Sequence, residues 1–135
     1  MDTTELRLET GNRKTTADIT DEVHSFCADK GDGLLSIFVP HATAGIAIFE
    51  TGAGSETDVL GAVDRLLPAD PSIWRHEHGT PGHGRDHVVP AFISPSITIP
   101  VLDGKPALGT WQSIVLIDTN VDNPSRRVRL SFVTG

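Results

Sequence analysis

Five short runs of branched apolar residues constrain the fold of this chain more than any other feature. They are GLLSIFVP (33–40), AGIAIFE (44–50), SITIPV (96–101), GTWQSIVLID (109–118) and RRVRLSFV (126–133). Each is shorter than a typical helix, rich in β-formers and bounded by Gly, Pro, Asn or Asp, which is the pattern of strands separated by turns. TELRLET (4–10) alternates polar and apolar positions like a half-buried strand. Asp103-Gly104 reads as a turn after SITIPV.

Two segments break the β pattern. ITDEVHSFCADKG (19–31) has Val23, Phe26 and Cys27 on one helical face, with Thr20 as its expected cap. SETDVLGAVDRLLP (55–68) carries Val59, Ala62, Val63, Leu66 and Leu67 on one stripe, with Ser55 as expected cap and Pro68 as terminator. Strands in this majority with two helices predict an α+β fold, mainly β: an antiparallel sandwich formed as one domain over residues 1–135.

Composition narrows the function classes. A hydrophobic content of 38% is globular, and 11 basic against 18 acidic residues give a net charge of −7. That balance argues against nucleic-acid or anionic-membrane partners, which call for a basic face. No apolar run approaches the roughly 20 residues of a spanning helix. The start, MDTTELRLETG, lacks the basic and apolar regions of a signal peptide, so a cytoplasmic location is expected. Cys27, the single cysteine, reads as a core residue.

The chemistry-bearing residues gather in three places. HGTPGHGRDH (78–87) holds three histidines and, with His76 just before it, makes four of the six. Imidazoles ligate zinc and related metals, and Asp86 could orient a neighbouring ring, although the spacing matches no short zinc motif and a polar surface loop is the competing reading. VPHATAG places His41 at a strand break near Thr43, with Glu50 closing the next strand as a candidate acid, base or ligand. LGTWQ (108–112) sets the flat ring of Trp111 beside the Gln112 amide, as a site or as core. Arg126 and Arg127, after the turn DNPS, suit phosphate or carboxylate, or an internal ion pair with an acid.

In this order the pieces resemble the secondary thiamine-phosphate synthase family, also called YjbQ-like, from about Leu6 to Val133. The most specific part is SITIPVLDGKPALGTWQSI (96–114). HATAGIAIFE resembles the family's histidine–threonine–threonine–alanine strand ending in glutamate, with Ala42 replacing one threonine. WRHEH…DH resembles an aromatic–x–histidine with a second histidine eleven residues on, which selects His76 and His87 and leaves His78 and His83 as loop. The family's glycine–proline–arginine turn is NPS here.

The resemblance implies a homotrimer and a weak activity joining a pyrimidine diphosphate to a thiazole phosphate. It implies His41, His76 and His87 as a convergent, metal-holding trio, with zinc, or magnesium for pyrophosphate release, as the ion. His41, Glu50 and Gln112 become the expected catalytic groups, and Thr43, Trp111, Arg126 and Arg127 the expected substrate contacts. Two other readings stay open: a metal-dependent hydrolase or lyase acting on a small phosphorylated metabolite, and a non-catalytic ligand-binding or assembly protein.

Overall fold

The computed structural model describes residues 1–76 and 79–135. Among the described residues eight strands form two antiparallel sheets. They are β1 (Asp2–Glu9), β2 (Thr15–Asp18), β3 (Gly33–Phe38), β4 (Ala44–Phe49), β5 (Ser96–Leu102), β6 (Lys105–Pro106), β7 (Ser113–Asp118) and β8 (Ser125–Thr134). The larger sheet runs β1-β8-β3-β5-β6 and the smaller β2-β7-β4. Helices α1 (Thr20–Cys27) and α2 (Ser55–Leu66) are those expected, and two single turns, α3 (His83–Asp86) and α4 (Val89–Phe92), add to them.

Alternation explains the larger sheet. On β8, Arg126, Val128, Leu130 and Phe132 point inward while Arg127 and Arg129 face solvent. Leu35 and Ile37 of β3 and Ile99 and Val101 of β5 join that inner face. β7 departs from the pattern: Ile114 through Asp118 are all buried. It is the middle strand of its sheet and is covered on both faces, which is why its sequence is a continuous apolar run. Ile19 at the N-cap and Val23 and Cys27 on α1 close the core. A separate cluster of Val63, Leu67 and Val89 holds α2 against α4.

Several local expectations are corrected. Neither Thr20 nor Ser55 caps its helix: the N-cap positions are Ile19 and Gly54, without side-chain cap bonds. Thr20 instead receives its amide partner from Asp18, whose Oδ1 lies 2.9 Å from the Thr20 nitrogen. The short strand β2 carries no apolar run, and its pairing with β7 alone creates it. The Asp103-Gly104 turn is present, with φ of 49° and 72°, the two positive values a tight β5–β6 hairpin demands.

Where the two sheets meet, Arg126 is buried against Asp118 at the end of β7. Its Nε donates to Asp118 Oδ2 at 2.7 Å, and its Nη2 to Asp118 Oδ1 at 2.9 Å and Thr43 Oγ1 at 2.8 Å. Thr10 Oγ1 donates to the same carboxylate at 2.9 Å. The expected substrate contacts Thr43 and Arg126 are thus spent inside the protein, the ion-pair reading of the arginine. Removing one partner of such a pair strands a buried charge, at a cost of about 3–5 kcal/mol. Arg126→Met is expected to lose that much in urea unfolding, and a second change, Asp118→Leu, to recover a substantial part of it.

Candidate functional site

The segment that follows α2 builds the site. Trp74 Nε1 donates to the Pro68 carbonyl at 2.8 Å, which folds the chain back toward the end of α2. Gly84, in α3, then packs directly on this return: a Cβ there would lie 2.3 Å from the His76 carbonyl oxygen and 2.9 Å from Trp74 Cβ. That close approach sets His83 and His87 of the α3 turn against His76. Gly84→Ala is expected to force the two segments apart and cost about 1–3 kcal/mol, read by urea unfolding.

The result is a group of three imidazoles. His76, His83 and His87 each offer a ring nitrogen, and these nitrogens lie within 4.8 Å of one another. The ring centroids are 4.4 Å apart for His76–His87, 4.6 Å for His83–His87 and 5.2 Å for His76–His83. His83 Nε2 and His87 Nε2 face each other at 3.0 Å. On the far side of its ring, His83 Nδ1 lies 3.2 Å from Asp122 Oδ2. An ionised carboxylate only accepts, so Nδ1 carries the hydrogen, and in the neutral ring Nε2 then presents its lone pair inward. Asp122 is kept ionised by the Thr80 hydroxyl above all, with the Thr80 amide and His83 adding to it, and its carboxyl titrates below the ordinary range.

The strand end after β7 positions the rest. Thr119 Oγ1 donates to Asp86 Oδ1 at 2.6 Å, and Asn120 Oδ1 accepts the Asp122 amide at 2.6 Å. Arg85, 3% exposed, donates from Nε to Asp86 at 2.9 Å and from Nη1 to Asp64 Oδ1 at 2.9 Å and to the Leu67 carbonyl at 3.0 Å. Lys14 reaches the other oxygen of Asp64. A cavity of about 240 Å³ adjoins His76 and His83, and one of about 350 Å³ is bounded by His83, Arg85, Lys14, Asp64 and Asp122.

Desolvation pulls the Asp64 carboxyl upward, but the hydrogen bonds from Lys14 and Arg85 outweigh it and hold its titration below the ordinary range. A lowered folded-state value means a stabilising contribution complete above the unfolded carboxylate value, ~3.9, and lost as pH falls through the folded value. Asp64→Asn is therefore expected to destabilise at neutral pH, with the gap to the unmodified protein closing as a pH series of urea melts descends below about 4.

The expected trio is revised. His76 and His87 come together, but their third partner among the described residues is His83, not His41. His41 Nε2 instead accepts the Arg127 backbone N–H at 2.9 Å. Burial, then the Arg126 and Arg127 charges, push its titration down. Arg127 turns outward toward Glu5, its Nη1 3.7 Å from Oε2. Among the described residues Asp86 accepts at Oδ1 from Arg85 and Thr119, and its carboxylate is given to them and not to a histidine. His78 lies outside the described residues.

Glu50, Trp111 and Gln112 sit at the wrong end of the sandwich. β4 and β7 pair with Phe49 opposite Ser113 and Ala44 opposite Asp118. At ~3.4 Å per residue, Gln112 is therefore about 20 Å along the strand from Asp118, where the imidazole group attaches. Gln112 Oε1 accepts the Gly109 amide at 2.8 Å, and Trp111 is 74% exposed in the turn before β7. The core reading of Trp111 fails, and as a candidate substrate contact it stands apart from the imidazole group.

His83 was legible in principle. It stands four residues before His87, one helical turn away, but the glycines on either side disguise the turn as loop. Asp122, Lys14 and Asp64 carry no signal in the sequence, because tertiary packing alone brings them in.

A family model described as "UPF0047 protein YjbQ-like" matches residues 4–135. UPF0047 protein Rv2556c of Mycobacterium tuberculosis is 58% identical over 135 residues, covering 100% of both chains. UPF0047 protein YugU of Bacillus subtilis is 32% identical, over 90% of this chain and 91% of its own. Among solved structures, APE1520 from Aeropyrum pernix K1 is similar with a TM-score of 0.88, 28% identity and 100% coverage of both chains. A YbjQ-like protein from Sulfolobus solfataricus P2 is similar with a TM-score of 0.91 and 25% identity, over 99% of this chain and 97% of its own.

Proposed function

The chain belongs to the UPF0047 protein YjbQ-like family, and from that premise we propose that it is a divalent-metal enzyme, a hydrolase or lyase acting on a small phosphorylated metabolite. The observation that carries this reading is the convergence of the His76, His83 and His87 ring nitrogens within 4.8 Å. The donor set fits the ion. Four ligands at roughly 2.0–2.1 Å from zinc stand about 3.3 Å apart in a tetrahedron, and the His83 and His87 Nε2 atoms are separated by 3.0 Å. Three imidazoles leave a further position open, the arrangement of catalytic rather than structural zinc.

An ion held there supplies charge neutralisation at a phosphoryl oxygen and acidifies water. The chain's own residues do the rest. Asp122 holds the His83 ring in one tautomer through Nδ1. Arg85 keeps α3 in place by gripping Asp86, Asp64 and the Leu67 carbonyl. A homotrimer belongs to this reading through the family resemblance, and exposed Leu66 and Phe92 are apolar surface it could cover.

Thiamine-phosphate formation, the activity the resemblance implies, fits this geometry less well. It favours a flat face for an aromatic substrate ring, and Trp111 bounds neither cavity beside the imidazoles. No helix among the described residues is long and apolar enough to cross a membrane.

Alanine replacement of His76, His83 and His87, one at a time, is expected to lower zinc affinity by about 10–100-fold or more, while His41→Ala keeps it. Equilibrium dialysis with zinc, supported by circular dichroism of each variant, reads this directly. Assays of phosphate-ester cleavage and thiamine-phosphate formation on the zinc-loaded protein separate the two reactions. Folded histidine variants with undiminished zinc would overturn the metal reading.

A further inference from the structure

The cavity of about 350 Å³ beside His83 falls in the size range of small-molecule sites, roughly 300–1,000 Å³. Its charges are unusual for a place where a phosphorylated substrate should rest. Lys14 and Arg85 face Asp64, Asp86 and Asp122, so with His83 neutral the lining carries one net negative charge. Alone it repels an anion. A divalent ion on the imidazole group, of which His83 is a shared member, would reverse the sign to one net positive charge.

The two cations have different freedom. Arg85 is locked, 3% exposed, by Asp86, Asp64 and the Leu67 carbonyl. Lys14 stands at the rim, with 40% of its side chain exposed, and holds only the outer oxygen of Asp64. If Lys14 leaves, Asp64 keeps the Arg85 Nη1 hydrogen bond at 2.9 Å and is not stranded. The lysine can therefore turn to another anion at little cost to the protein.

Resting on the metal reading above, we propose that this cavity is the phosphoryl subsite. Lys14 is the donor that moves from Asp64 to the substrate's phosphoryl group, and the anion and the divalent ion bind cooperatively. Arg85 supplies a fixed positive charge behind it. The thermodynamic consequence is reciprocal, since whatever factor zinc adds to anion affinity the anion adds to zinc affinity.

Calorimetric titration of the full chain with phenylphosphonate, zinc-loaded and metal-free, tests this. The loaded protein is expected to bind about tenfold more tightly or better. Lys14→Met should weaken phenylphosphonate binding to the loaded protein at least about tenfold and leave zinc affinity unchanged, while Lys14→Arg retains the binding. Equal affinity with and without zinc, or a Lys14→Met protein that binds as tightly as the parent, would overturn the subsite. A parent protein that takes up no zinc overturns the metal reading itself, a result told apart from the others before any phosphonate is added.

Discussion

The end of β7 is the point on which the rest of the structure depends. Asp118 is fully buried and answers Arg126, itself buried, with two hydrogen bonds, while Thr10 and Thr43 complete the shell. Charges in a low-dielectric interior are tolerated only when paired and fully hydrogen-bonded. Among the described residues no buried side-chain polar atom is left without a partner. The pair fixes β8 against β7 across the two sheets, and it fixes the point from which residues 119–122 leave the sandwich.

Those residues then serve the site in succession. Thr119 holds Asp86, Asn120 holds the Asp122 amide, and Asp122 holds His83. The help is needed because α3 is one turn long, follows Gly82 and carries Gly84 within it. A four-residue helix has no stability of its own, since nucleation costs more than its few hydrogen bonds return. Arg85 on α3 reaches back to Asp64 and the Leu67 carbonyl at the end of α2, so the turn is gripped from both sides. The imidazole group is therefore carried on an intrinsically weak segment and made rigid by the core behind it, as a binding site requires.

Charge organises this end of the molecule more than shape does. In a chain of net charge −7, buried Arg85 and Arg126 each answer carboxylates inside the fold, while Arg127 and Arg129 share Glu5 on the open sheet face. Arginines that look available for phosphate in the sequence are thus divided by strand alternation: one residue inward, the next outward. Lys14, in a turn that attracts no notice, is left as the cation at the rim of the cavity.

The sequence by itself determined the strands β1, β3, β4, β5, β7 and β8, the helices α1 and α2, and the sandwich class, because those follow from local period and burial. It also marked a histidine-rich loop, from which the family resemblance selected His76 and His87. It did not determine β2, which exists only through pairing with β7, nor the third histidine, nor the carboxylate behind it. It placed Glu50, Trp111 and Gln112 near the chemistry when strand register sets them at the opposite end. Tertiary structure decided these because pairing register and close packing, such as Gly84 on the His76 carbonyl, bring together residues whose separation along the chain carries no periodic trace.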